Sequence, residues 1–135
     1  MENQEELLTE VLKRVQRNYM HMVEIERVTK ELGDAMSRND QESIQLLMKM
    51  RQEEMEGFGE TKQEIRLLIE AAGEDKEKII SWLRGEDKHQ PENFEAGKIK
   101  ELSCQVLQVL NRTIDIDKII NLKVTGKDSY YQSAQ

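Results

Sequence analysis

Little in this chain could build a β-sheet or a covalent framework. Aromatic residues make up 4% of its 135 positions and proline occurs once. So little strand-forming material argues against a β-architecture. One cysteine, Cys104, excludes an internal disulfide and suits a reducing compartment. No apolar run approaches the roughly 18 residues of a membrane span. The first ten residues hold glutamates but no Lys or Arg, unlike the basic start of a secretory signal. A cytoplasmic location without membrane insertion is therefore expected. Histidine is scarce too. His21, His89 and Cys104 have no metal-ligand spacing, so no metal and no cofactor is expected. Without a histidine near it, Cys104 reads as a small packed residue, and His21 as part of a solvated face.

What the chain has is charge and heptads. Charged residues make up 35% of it and the net charge is −7. Residues 96–135 carry six basic side chains against four acidic ones, so the acid excess lies in 1–95. An acidic chain without a basic patch excludes non-specific nucleic-acid binding as an expectation. Leu, Ile, Val and Phe still make up about a quarter of the residues, above the level of a disordered segment.

Leu8, Val11, Val15, Asn18, Met22, Ile25, Thr29, Leu32 and Met36 follow one another at 3-4 spacing. Seven of these nine are apolar, which predicts a long helix with one continuous seam. Asn39 or Asp40 can cap the next helix, with Glu42 placed as in a capping box. Ile44, Met48, Arg51, Met55, Phe58, Lys62, Ile65, Ile69 and Ala72 continue the spacing, and so short a connection predicts an antiparallel hairpin. Ile79, Ile80, Trp82 and Leu83 suggest a short helix ended by Gly85. Gly85 to Asn93 contains Pro91 and reads as a loop. Ile99, Leu102, Val106, Val109, Thr113, Ile116 and Ile120 mark a third long helix. The expected fold is all-α, an elongated antiparallel helical bundle or coiled coil. Residues 1–122 form one domain, with helices at about 4–36, 40–72, 76–84 and 94–122. Residues 123–135 form a flexible tail.

Several motifs invite chemistry. Gly57-Phe58-Gly59-Glu60-Thr61-Lys62 resembles a phosphate loop in composition, but lacks Walker spacing and a preceding strand. Two glycines there predict a weakened or kinked helix. Arg51 and Lys62 fall on the seam, as cations of small all-helical chorismate mutases do. Pairing with acids on a neighbouring helix is the simpler expectation. Asn111-Arg112-Thr113 matches a glycosylation sequon, which means nothing in a cytosolic helix. Met22, Met36, Met48 and Met55 read as core filling, and Met20 and Met50 as off the seam.

The third helix carries the clearest partner signal. Besides its seam it has Leu107, Leu110 and Ile114, with Ile119 and Leu122 further round. That is more apolar surface than a two-helix hairpin covers. It is covered either by the Trp82 segment and a second subunit, or by a client helix.

Taken together the chain resembles the FlgN-like flagellar export chaperones, with FliT-type chaperones near in style. The resemblance rests on Leu8, Val11, Val15 and Tyr19, then Asp40-Gln41-Glu42-Ser43-Ile44-Gln45-Leu46-Leu47 and Arg51-Gln52-Glu53. It continues with Trp82-Leu83, with Asn111 before Ile114 and Ile119-Ile120, and with a tail holding Gly126, Asp128, Tyr130 and Tyr131. It implies a cytosolic, non-enzymatic chaperone of type III export. Its partners would be hook-associated proteins such as FlgK and FlgL, and the export apparatus. The binding residues would be Leu107, Leu110, Ile114, Ile119, Leu122, Tyr130 and Tyr131. A self-associating coiled-coil adaptor is the competing expectation, and a mutase-type enzyme a remote one.

Overall fold

The first seam is buried almost without exception. Leu8, Val11, Val15, Asn18, Met22, Ile25, Thr29 and Leu32 are all shielded from solvent, and Met36 is half-buried. They belong to helix α1, Glu2–Ser37. The computed structural model describes residues 2–125, with side chains described from 4 to 122. Three more helices follow: α2 at Gln41–Glu70, α3 at Lys76–Leu83 and α4 at Phe94–Thr125. Among the described residues there is no strand. The chain is an all-α helical bundle. No helix among the described residues is long and apolar enough to cross a membrane.

Local chemistry sets the boundaries. Asn39 takes a positive φ of 56°, which asparagine tolerates better than most residues. Asp40, not Asn39, then caps α2: its carboxylate accepts from the Ser43 backbone N–H and the Ser43 hydroxyl. Those donors hold the Asp40 carboxyl below its ordinary value. Asn93 caps α4 in the same way, accepting from Ala96 N–H at 2.8 Å. Helix α4 runs to Thr125, three residues into the segment that the sequence reads as tail.

Ion pairs give the helix directions. Arg14 meets Glu64 at 2.9 Å and His21 meets Glu54 at 3.2 Å, so α2 runs antiparallel to α1. Arg112 meets Glu26 at 2.9 Å, and Ile120 lies against Gly33, so α4 runs parallel to α1. Helix α1 is thus the central element, approached by both α2 and α4.

The core is divided along its length. A lower cluster joins Leu8, Val11 and Val15 to Ile65, Ile69, Ile79, Trp82, Ala96 and Ile99, and so uses all four helices. A middle cluster joins Met22, Ile25 and Val109, with Phe58, Val106 and Leu110 packed on it. An upper cluster of Val28, Leu32, Ala35, Ile44 and Leu47 belongs to α1 and α2 alone. Between the lower and middle clusters each long helix places a buried polar residue: Asn18, Thr61 and Ser103. Between middle and upper lie Thr29, Thr113 and the half-buried Arg51.

The buried face of α2 differs from its sequence spacing. Helical structure continues through Gly57 and Gly59. Gly57 serves the packing, because a Cβ there would stand 2.6 Å from the His21 ring. His21 is correspondingly wedged between helices and not on a solvated face. Met48, Met55 and Lys62, which the spacing places on the seam, are exposed, while Leu47 and Thr61 are buried instead. The middle of α2 turns a different stripe toward α1 than a strict seam would.

A candidate helix-binding groove

Helices α2 and α4 flank α1 and leave a groove between them. The ion pair of Arg51 Nη1 and Asp117 Oδ1, 2.8 Å apart, fixes which sides face each other. Met48 and Met55 stand three residues before and four after Arg51, hence on the same side of α2. Ile114 and Leu110 stand three and seven residues before Asp117, hence on the facing side of α4. The floor is α1 with Phe58. Lys62 lies over the Phe58 ring at 5.8 Å, a cation–π contact at the lip.

The lower half of this groove is filled by α3. Ile79 and Trp82 insert between Ile65 and Ile69 of α2 and Ala96 and Ile99 of α4. The Trp82 indole N–H donates to the His89 carbonyl at 2.8 Å and ties down the following loop. Lys78 pairs with Glu92, and Lys100 with Asp87. Helix α3 then ends at Gly85, which adopts φ +69°. A Cβ at Gly85 would stand 2.9 Å from Cys104 Sγ and 3.9 Å from Leu107 Cδ1. The chain turns away at the level of Leu107; above it α3 no longer lies between α2 and α4, and the Arg51–Asp117 pair crosses between them.

The walls of the open half are apolar and exposed. Leu107 is 39% exposed, Ile114 41%, Met48 37% and Met55 49%. Leu110 is half-buried against the middle cluster. From Leu107 to Leu122 the groove is about 22 Å long at 1.5 Å per residue. Leu107, Leu110 and Ile114 thus share one side of α4, facing Met48 and Met55 of α2. It places Leu122, 72% exposed, at the outer lip, about 80° round from Ile114. Ile119 is separated from them. It lies about 140° from Ile114, on the flank shared with Arg112. Tyr130 and Tyr131 lie outside the described residues.

The cations are already engaged. Arg51 is bonded to Asp117 and, at 3.4 Å, to the Thr29 hydroxyl. A shallow depression of about 240 Å³ lies on the other side of α2, lined by His21, Glu24, Val28, Met50, Glu53 and Glu54. Its three glutamates would repel a carboxylate substrate. Among the described residues no group of three His, Cys, Asp or Glu could hold a metal ion. No protein-family model, curated protein or solved structure matches this chain.

Proposed function

We propose that the chain is a helix-binding chaperone of the flagellar type III export class. It works in the cytoplasm and seats amphipathic terminal helices of hook–filament junction proteins such as FlgK and FlgL. One observation carries this reading. The groove between α2 and α4 is filled by a short helix of the chain itself up to Leu107, and continues above it with exposed apolar walls. A client helix placed there would extend α3 and bury Leu107, Ile114, Met48 and Met55. A few hundred Å² of apolar burial, at about 25 cal/mol per Å², yields several kcal/mol before ordering costs. That suits a holding protein that must also let go.

Binding of junction-protein terminal peptides to the full chain tests the reading. Micromolar binding that Ile114→Asp weakens at least tenfold is expected. Equal binding by parent and variant contradicts it. The self-associating adaptor remains the second reading, because the same groove would accept a copy of this chain. Sedimentation separates the two: a tight dimer at all concentrations, indifferent to client peptide, favours the adaptor.

A further inference from the structure

The outer half of α4 is fastened differently from the rest of the bundle. Up to Leu110 the helix shares two apolar clusters with its neighbours. The upper cluster contains no α4 residue. From Leu110 to Leu122 the buried residues are Thr113 and Ile120. Thr113 spends its hydroxyl on the Val109 carbonyl of its own helix, at 2.8 Å. Ile120 reaches α1 at Gly33, where a Cβ would stand 2.9 Å from its Cδ1. Two ion pairs also tie it, Arg112 with Glu26 and Asp117 with Arg51. Arg51 and Asp117 are both partly exposed, and such a pair holds weakly, whereas Glu26 is buried beside the exposed Arg112.

We propose that residues 111–122 of α4 form an arm that opens as a unit, latched by Ile120 on Gly33 and by these two ion pairs. Its hinge lies just above Leu110, the last α4 residue packed on the middle cluster. The released arm would be a helix of about 12 residues, which is marginal alone in water, so opening exposes its amides to exchange. Leu110, Ile114 and Asp117 form one wall of the groove, so the latch also sets the groove's width. The inference stands on packing alone and does not depend on what the groove binds.

Hydrogen exchange on the full chain, without client and across a denaturant series, tests it. Amides of 113–122 exchange together through a low-energy opening that exposes little surface. Amides of 99–109 exchange through the global transition. Arg51→Met, a change on α2, lowers protection across 113–122 as a block by roughly two- to fivefold. Ile120→Ala does so by on the order of thirtyfold. Two outcomes overturn the proposal. One is a single opening, with one denaturant dependence, for all of α4. The other is protection that declines smoothly from residue 122 inward and ignores Arg51→Met, as end fraying would.

Discussion

At the residue scale, polar groups inside the bundle decide how it is put together. The threonines Thr29, Thr61 and Thr113 each satisfy their hydroxyl on a carbonyl four residues back. Asn18 has no such recourse, and its buried Oδ1 lacks a hydrogen-bond partner. An unpaired buried acceptor costs on the order of 1–3 kcal/mol, so Asn18→Leu should raise stability by on the order of 1 kcal/mol. The melting temperature of the variant checks this, and the expected sign is upward. Glu26 presents the opposite case. It is buried and its carboxyl is held below the ordinary value of 4.5, chiefly by the Arg112 hydrogen bond. A depressed carboxyl contributes stability that is complete above its unfolded value and lost as pH falls through its folded one. Arg112→Met should therefore lower the urea midpoint clearly at pH 7. The gap to the parent should narrow below pH 4.5. A gap of constant size would place the effect elsewhere. Both positions show how far the sequence goes. Asn18 is visible as a polar interruption of the seam. The Glu26–Arg112 pair is not, because its members are 86 residues apart and each looks like a surface charge.

At the element scale, helix existence was legible and helix facing only in part. Continuous 3-4 spacing in α1 identifies its buried face because α2 and α4 both pack on it, and a wide stripe is used. In α2 the same spacing misplaces Met48 and Met55. Gly57 lets His21 close in, and Leu47 and Thr61 turn inward instead. Helix α3 is legible from Ile79, Ile80, Trp82 and Leu83, but nothing local says that it lies in a groove between two longer helices. That placement makes Trp82 a fastener for three elements. Trp82→Ala removes its packing and the bond to the His89 carbonyl, and should cost about 3–5 kcal/mol. Total stability for a domain of this size is only about 5–15 kcal/mol, so the variant should be marginal. Urea unfolding followed by far-ultraviolet circular dichroism measures the loss. A loss below about 1 kcal/mol would mean that α3 is not seated as described.

At the scale of the whole molecule, three long α-helices and one short one among the described residues leave one position of a four-helix arrangement half filled. Exposed apolar residues occur elsewhere too, such as Met20 at 70% and Leu67 at 64%. Those of α2 and α4 stand on two facing walls. This concentrates the proposed binding residues, which the sequence spreads over Leu107 to Leu122. It retains Leu107, Leu110 and Ile114, sets Ile119 apart, and brings in Met48 and Met55 from a helix that the sequence reads as pure scaffold. The methionines make the groove directly observable. Titrating the labelled full chain with a terminal helical peptide of a junction protein, while following methionine ε-methyl resonances, tests client seating in this groove. The signals of Met48 and Met55 should move and that of Met20 should stay. Movement of Met20 with Met48 and Met55 unchanged, or no movement at all at saturating peptide, would contradict it.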